Sequence, residues 1–409
     1  MTQTATSVSQ VVRSGLCIGC GLCESLTEGQ VKMEMSPLGG LRPMPLDGFS
    51  NEETSKILSA CPGVIAEAPE TELGQIDPIW GTYSDMRYAW AGDPETRHRG
   101  ATGGVLTALG MHLIDSGQVD FVLQVRAIPD KPMRTEWVMS ETSADVLAHA
   151  GSRYGPASAL AGLSAALDRN QRFAIIAKPC DLGAVHRLAQ SDPRVDAHCV
   201  ARLTMVCGGQ SRLTKSQGLL AAHGLREDEL TLFRYRGYGN PGLTTLETKD
   251  GRRFETTYQE LWEDEGTWGL ETRCKLCPDA LGEAADIAAA DVWPGGGPTG
   301  EDAGFNGIVT RNARGAALIK SAVAAGALTI GDAITPAMFN DFQPHQVRKK
   351  HAAAARLAGM EEAGLPTIET RNLRLDVLGQ ALDAEARAAQ IQGIRDRVTR
   401  GKITEDFPQ

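Results

Sequence analysis

Aromatic residues are scarce in this sequence, at 5% of 409 positions, so few large rings are available to build a core. Long apolar runs are also missing, and none approaches the roughly 18 residues that a membrane-spanning helix needs. The formal charge of −10 argues against a general nucleic-acid-binding protein, which needs a dense basic face. The first ten residues are polar and lack the apolar segment of a secretory signal, so we expect a cytoplasmic protein.

Cysteine and glycine are abundant by contrast. The chain has 9 cysteines and 45 glycines, with 42% hydrophobic and 22% charged residues, as in a globular protein of two or three domains. Cysteines in a reducing compartment are more often metal ligands than disulfide partners. Glycines favour tight turns and close approach of the backbone to a cofactor.

Four cysteines near the start have the spacing of an iron–sulfur module. Cys17, Cys20 and Cys23 are each separated by two residues, and a distant Cys61 is followed by proline. Three thiolates in one tight loop can bind three corners of a cubane, and the remote Cys-Pro can bind the fourth. We therefore predict a ferredoxin-like [4Fe–4S] module. Zinc is the alternative, although zinc sites usually pair two hairpins.

A second set of four cysteines is spread over three loops. Cys274 and Cys277 form a C-x2-C pair, and Cys180 and Cys207 each follow a short apolar run that predicts a buried strand. Ligands at the carboxyl ends of strands are typical of open α/β sheets. The set suits a [4Fe–4S] cluster or zinc, and four unrelated cysteines are the alternative. We interpret Cys199 as a structural or free thiol.

The segments between these cysteines predict an α/β fold with a mainly parallel sheet. Apolar stripes and short apolar runs alternate, with a helix from residue 105 and strands at residues 121–125 and 173–177. The turn Gly100–Gly104 precedes the first helix, where N–H groups and the helix dipole can hold a phosphate. An ordinary helix start is the alternative for that turn.

Three units are predicted along the chain: an iron–sulfur module at residues 1–80, a cofactor-binding core at 81–335 and a helical extension at 336–409. In the extension, Leu375, Leu378 and Leu382 continue a pattern of steps of three and four, which predicts an amphipathic helix that packs on the core or forms an oligomer.

Several motifs occurring in one order carry a family resemblance. They are Thr102-Gly103-Gly104-Val105, Ser152-Arg153-Tyr154, Pro179-Cys180-Asp181, Cys207-Gly208, Arg273-Cys274-Lys275-Leu276-Cys277, Ala285-Asp286 and Ile308-Val309-Thr310-Arg311. The chain resembles the coenzyme F420 hydrogenase/dehydrogenase beta-subunit family. That family includes 7-hydroxymethyl chlorophyll a reductase and a ferredoxin-dependent divinyl chlorophyllide 8-vinyl reductase.

The resemblance implies an iron–sulfur flavoprotein oxidoreductase with FAD and two [4Fe–4S] clusters. The family's central cluster corresponds to Cys180, Cys207, Cys274 and Cys277. The residues implied in FAD binding are Thr102, Gly103, Gly104, Ser152, Arg153, Tyr154, Lys178, Asn306 and Arg311. Single electrons from a ferredoxin-type donor would reach the flavin through the clusters and reduce a small organic substrate by two electrons.

The alternative is an electron-transfer beta subunit that docks on a hydrogenase or dehydrogenase and reduces F420 or a similar carrier. Where the chlorophyll-type members tend to have a Gly-Tyr-Met-Gly run, this chain has Val292-Trp293-Pro294-Gly295. The resemblance therefore names no substrate and no catalytic residue. Trp268 and Trp293 are candidates for the walls of a planar pocket, with core packing as the alternative.

Overall fold

The computed structural model describes residues 3–70 and 74–405. The amino-terminal part holds α1 (Val8–Arg13), α2 (Leu22–Leu26), β1 (Lys32–Met35), β2 (Leu41–Met44), α3 (Asn51–Ala60) and β3 (Ile65–Glu67). β1 and β2 form an antiparallel pair. Helix α3 starts with a capping box, in which the Ser50 and Glu53 side chains each bind the other's backbone N–H.

The central part supplies most of the remaining elements. Its strands are β4 (Gln75–Asp77), β5 (Gly81–Tyr83), β6 (Asp85–Ala91), β7 (Phe121–Ile128), β8 (Lys131–Ser140), β9 (Phe173–Ile176), β10 (Cys199–Met205), β11 (Leu230–Arg234), β12 (Thr244–Thr248), β13 (Arg253–Thr256), β14 (Ile287–Asp291), β15 (Asn306–Thr310) and β16 (Leu328–Ala333). Its helices are α4 (Pro94–Arg99), α5 (Val105–Asp115), α6 (Ser143–Ala148), α7 (Leu163–Asp168), α8 (Pro179–Ala189), α9 (Arg194–His198), α10 (Leu213–Ala222), α11 (Tyr258–Trp262), α12 (Thr272–Lys275) and α13 (Ala313–Ala324). Short 3-10 turns lie at Ala159–Gly162, Glu227–Glu229, Glu265–Thr267 and Pro294–Gly296.

The carboxyl-terminal part is mostly helical, as predicted. It holds α14 (Pro336–Phe342), α15 (Pro344–Glu362), β17 (Glu369–Arg371), α16 (Leu375–Gly379) and α17 (Ala384–Thr399). The single amphipathic helix predicted from Leu375 onward is wrong, because α16 ends at Gly379 and α17 begins at Ala384. Strand β17 pairs with β3, so the end of the chain is joined to its beginning.

An eight-stranded sheet organises the molecule, in the order β16-β6-β15-β14-β10-β9-β7-β8. The strands β14, β10, β9 and β7 are parallel neighbours, and the pairs on either side of them are antiparallel. The α/β class is thus confirmed, with the parallel part at the centre of the sheet. Helices cover both faces, so the core has three layers.

Alternate residues of the central strands face opposite layers. Phe121 and Phe173 pack with α2, α7 and α8, whereas Val122 and Ala174 pack with α5 and α13. The amino-terminal part therefore packs on the sheet through α2, and this contact brings its cysteines close to the carboxyl ends of β9 and β10. No helix in the described ranges is long and apolar enough to cross a bilayer.

Candidate functional site

The first cysteine set lines one cavity. Its border includes Cys17, Cys20, Cys23 and Cys61. The rest of the lining consists of apolar side chains of α1, α3 and β1, together with Ile18, two prolines and two glycines, one of them Gly21. Cys23 lies in α2, and Cys61 caps the carboxyl end of α3. The spacing read from the sequence thus corresponds to a real grouping in space.

Two glycines shape the loop between these cysteines. Gly19 and Gly21 have φ angles of 70° and 90°, in the left-handed region that glycine adopts without strain. A Cβ atom on Gly21 would lie 2.6 Å from the backbone nitrogen of Ala161, so a larger residue would push the loop off the core. The N–H of Gly19 donates to the Cys17 sulfur at 3.4 Å. Glycine is therefore required for both the turn and the close contact.

The second cysteine set lines a separate cavity. Cys180, Cys207, Cys274 and Cys277 border it, and its lining also includes cationic side chains from three elements, Lys178, Arg273 and Lys349. Cys180 lies in the first turn of α8, three residues beyond the end of the predicted strand 173–177. The N–H of Gln210 donates to the Cys274 sulfur at 3.2 Å. Sulfur here is thus surrounded by more positive charge than in the first cavity.

Burial favours the protonated form of seven of these thiols when no metal is bound. It raises the pKa of Cys61 and of Cys274 to about 12 in each case, and it raises that of Cys17, Cys20, Cys23, Cys180 and Cys207 as well. A metal centre would displace those protons, since the thiolate is the ligand. Cys199 is also buried, with a pKa raised to about 11 by burial, but it borders neither cavity.

The two cavities adjoin one another. Ile18 lines both of them. The Gln210 side chain donates from Nε2 to the Ile18 carbonyl at 3.0 Å, and the same residue's backbone contacts Cys274. Arg273 donates from Nε to the Pro62 carbonyl, next to Cys61, at 2.8 Å. One residue layer thus separates the two cysteine sets.

In the part of the chain that the structure describes, no three His, Cys, Asp or Glu side chains converge to bind a single metal ion. The four thiolates of a cubane each bind a different iron, so they surround a volume instead of meeting at a point. Two four-cysteine cavities fit that donor arrangement.

The glycine turn before α5 is held by the side chain of Asn306. Its Oδ1 accepts the N–H of Gly103 at 3.0 Å and that of Val105 at 3.3 Å, and its Nδ2 donates to the Ala290 carbonyl at 3.1 Å. A Cβ atom on Gly103 would lie 2.8 Å from the backbone nitrogen of Asn306. Gly104 caps the helix in a left-handed conformation. The turn is thus fixed to β15, with two of its N–H groups already engaged.

Arg236 links this turn to the rest of the site. It donates to the Thr102 hydroxyl at 2.9 Å and to the Asp291 carboxylate at 3.0 Å, and the Thr102 hydroxyl also donates to Asp291. Its guanidinium lies 4.5 Å from the ring centroid of Trp293. The sequence pattern alone does not identify Arg236 as a site residue. The glycines that follow it, Gly237 and Gly239, were the signal of a tight contact with the backbone.

Aromatic side chains form one wall beside Arg236. Tyr154 and Trp262 meet edge to face at 5.0 Å, Tyr258 and Trp293 meet at 5.0 Å, and Trp268 meets Trp262 at 5.7 Å. Burial raises the pKa of Tyr154 despite the opposing charge of Arg236. Among the described residues, the indole nitrogens of Trp262 and Trp293 have no hydrogen-bond partner, and Trp293 is 6% exposed. Unpaired buried donors beside flat rings suit a planar ligand that has acceptor atoms.

The remaining predicted flavin residues are placed in three locations. Ser152 forms a bridge with Arg236, so it belongs to the same region as Thr102. Lys178 lies at the second cysteine cavity, where its ammonium donates to the Ala157 carbonyl at 3.0 Å and to Asp181 at 2.9 Å. The Arg153 guanidinium is occupied by backbone carbonyls of neighbouring strands.

Arg311 is not brought to the glycine turn. It follows the last residue of β15, whereas Asn306 is the first, and five residues of strand span roughly 17 Å. Its guanidinium donates to the carbonyls of Trp80, Thr82 and Leu281. The structure therefore groups Thr102, Gly103, Gly104, Asn306, Ser152 and Tyr154, with Lys178, Arg153 and Arg311 elsewhere.

Comparison with known proteins gives consistent matches. Two family models of the coenzyme F420 hydrogenase/dehydrogenase beta subunit match, one for its N-terminal part at residues 86–164 and one for its C-terminal part at residues 170–335. The F420-dependent formate dehydrogenase 1 subunit beta of Methanococcus maripaludis is 28% identical over 54% of this chain and 54% of its own length. The chain thus spans about half of that relative. The coenzyme F420 hydrogenase subunit beta of Methanothermobacter thermautotrophicus is 24% identical over 71% of this chain and 99% of its own length.

Two further matches extend the set. The coenzyme F420-dependent sulfite reductase of Methanocaldococcus jannaschii is 23% identical over 77% of this chain and 47% of its own length. A chain in a solved structure of the F420-reducing [NiFe] hydrogenase complex from Methanosarcina barkeri shares the fold, with a TM-score of 0.57, 20% identity, and coverage of 73% of this chain and 99% of that one. The chain therefore belongs to the coenzyme F420 hydrogenase/dehydrogenase beta-subunit family.

Proposed function

We propose that this protein is an iron–sulfur flavoprotein that serves as an electron-transfer beta subunit and exchanges two electrons with coenzyme F420 or a similar carrier. The observation that carries the proposal is the pair of adjoining four-cysteine cavities, with Ile18 between them. The names of the relatives support the carrier, because a hydrogenase subunit, a formate dehydrogenase subunit and a sulfite reductase are all described as F420-linked.

The residues proposed to hold the cofactors fall into three groups. Cys17, Cys20, Cys23 and Cys61 would bind one [4Fe–4S] cluster, and Cys180, Cys207, Cys274 and Cys277 the other. FAD would lie against the turn Thr102–Gly104, Ser152 and Tyr154, with Arg236 and Trp293 added to the predicted set. When bound, these groups would supply the conversion between one-electron and two-electron transfer.

Charge around the second cavity gives the chain a way to set the direction of electron flow. Lys178, Arg273 and Lys349 line this cavity together with one carboxylate, Asp279, whereas the lining of the first has no charged side chain among the described residues. Positive charge stabilises the more negative, reduced form of a cluster. We therefore infer a higher reduction potential at the second site. Lys349 belongs to α15, beyond the region that the family models match, and it donates to the Gly208 carbonyl at 2.8 Å.

Replacing Lys349 by methionine is expected to lower the reduction potential of the second cluster by roughly 50–100 mV, because one unit charge is removed from a weakly solvated site. A redox titration followed by electron paramagnetic resonance measures the shift. The matched control is Arg348→Met, since Arg348 is the preceding residue of α15 and is exposed. Equal potentials in both variants would show that Lys349 does not act on the cluster.

A second candidate is a reductase that takes electrons from a ferredoxin-type donor and reduces a small organic substrate without a permanent partner. The cysteine module at residues 17–61 favours it, because that module lies outside the matched range 86–335 and gives the chain a cluster of its own for a soluble donor.

Stopped-flow mixing of the photoreduced protein with F420 tests the main proposal. We expect F420 to reoxidise the flavin and to become reduced itself. The observed rate should rise in proportion to the F420 concentration, as for a second-order reaction. If F420 did not reoxidise the flavin but another organic acceptor did, the main proposal would be excluded and the second candidate favoured. Size-exclusion chromatography of the native protein separates the two further, because a beta subunit should elute with a larger catalytic chain.

A further inference from the structure

A group of cationic side chains lies around Lys275, between two of the cysteines that line the second cavity. Lys275 stands between Cys274 and Cys277 and is exposed, and its carbonyl accepts from Nη1 of Arg356 on α15 at 2.8 Å. On α17, Gln390 accepts from Nε of Arg356 at 2.8 Å. The same helix carries the exposed Arg397, whose carbonyl accepts the N–H of Lys402 at 2.9 Å. We call Lys275, Arg356, Arg397 and Lys402 the basic patch.

Contacts between α12, α15 and α17 hold the cations of the basic patch together, since Arg356 donates both to the Lys275 carbonyl and to Gln390. Across residues 3–70 and 74–405, none of the four patch residues forms an ion pair with a carboxylate. The carboxylates of adjoining segments, Glu271 and Glu405, are buried and paired with Arg42.

Such a concentration of positive charge is unusual in a chain with a net charge of −10. Like charges held together without a carboxylate in an ion pair repel one another and cost stability. The arrangement becomes favourable when a surface of opposite charge covers it, and it then steers the encounter as well.

The patch also lies close to both cysteine cavities. Lys275 separates two ligands of the second set. Lys402 lies in the segment whose Glu405 N–H donates to the Arg13 carbonyl at 2.9 Å, four residues before Cys17. A protein bound on the patch would therefore face the loops that carry both sets.

We propose that the basic patch is the docking surface for a small acidic protein that carries a one-electron iron–sulfur centre. The inference rests on the second candidate function, in which a ferredoxin-type donor supplies single electrons, and it names the surface that would bind that donor. In each encounter the carrier is oxidised by one electron and a cluster of this chain is reduced by one, with no bond made or broken and no proton moved.

A transient carrier fits the patch better than a permanent subunit does. Among the described residues, the large exposed apolar side chains are Leu38, Ile76, Trp137, Tyr238, Phe305, Val323, Met338 and Val377. None of them lies on α12, α15, α17 or the segment after α17, which carry the basic patch. Permanent interfaces bury an apolar centre, whereas electron-transfer encounters are small, charged and sensitive to salt.

Stopped-flow reduction by a bacterial two-cluster ferredoxin tests the inference at low ionic strength. The patch variant Arg397→Glu/Lys402→Glu is compared with Lys249→Glu/Lys320→Glu, which changes the net charge equally at two exposed lysines on other elements. We expect the patch variant to be reduced at least 10-fold more slowly, with a flatter salt dependence, and the control variant to stay within about twofold of the unmodified protein. Photoreduced deazaflavin, a small neutral reductant, should reduce all three equally.

Equal rates with ferredoxin in the two double variants would overturn the inference, as would a larger subunit that co-purifies and shields Arg397 and Lys402 from chemical modification. Binding of a redox-inert, gallium-substituted ferredoxin gives a readout that needs no cofactor in this chain. A colourless protein would refute the proposed function, whereas binding that is unchanged by the patch substitutions would refute the docking surface alone.

Discussion

Replacing Cys180 by serine is expected to remove about four of roughly eight iron atoms per chain and the paramagnetic signal of one cluster. Cys180 borders the second cavity from the first turn of α8, and its sulfur would be one of four ligands there. A serine hydroxyl is a much poorer ligand for iron in such clusters, so the site should lose its metal while the first cavity keeps its own. Iron analysis and electron paramagnetic resonance of the anaerobically purified variant measure both effects.

Cys199→Ser is the matched control for this experiment. Cys199 is buried in the same region, at the start of β10, but it borders neither cavity. The control variant should retain all its iron. If Cys180→Ser kept its iron and Cys199→Ser lost it, the assignment of ligands to the second site would be wrong.

Replacing Arg42 by methionine is expected to lower the free energy of unfolding by about 3–5 kcal/mol. Arg42 is fully buried on β2 and donates to Glu271 at 2.7 Å and to Glu405 at 2.5 Å, so it joins the amino-terminal part, the C-x2-C region and the chain's end. Removing it leaves two buried carboxylates with only the partly exposed Arg212 as a counter-charge, at 3.3 Å from Glu271 and 3.2 Å from Glu405. Urea unfolding followed by tryptophan fluorescence measures the loss, and the first site should release iron faster.

The control is Arg226→Met, which breaks an exposed pair with Asp228 and should leave the free energy of unfolding nearly unchanged. A rescue test separates lost charge from lost packing. The triple variant Arg42→Met/Glu271→Gln/Glu405→Gln removes all three charges and should recover much of the lost stability. An Arg42→Met protein as stable as the Arg226→Met protein would show that the buried cluster does not stabilise the fold.

Local patterns in the sequence were sufficient for the elements around the site. The apolar stripe after Gly104 predicted α5, and the short apolar runs before Cys180 and Cys207 predicted β9 and β10, because helix and strand periods are visible in adjacent residues. The parallel neighbours at the sheet centre follow from the strand–helix alternation.

Contacts between distant segments were beyond that reasoning. Arg236 binds Thr102 across 134 residues, and Arg42 binds Glu405 across 363 residues, and neither pair leaves a periodic signal. Lys349 reaches the second cavity from α15, which the sequence predicted only as part of a helical extension. The wrong single helix from Leu375 has a different cause, since the apolar steps continue through residues 380–383, where the chain turns between α16 and α17.

The central claim is that eight cysteines hold two [4Fe–4S] clusters beside one flavin. Determination of iron, acid-labile sulfide and flavin in the anaerobically purified protein tests it most directly. The account predicts about eight iron atoms, about eight sulfides and one FAD per chain. Zinc in place of iron, with no sulfide and no flavin, would contradict it.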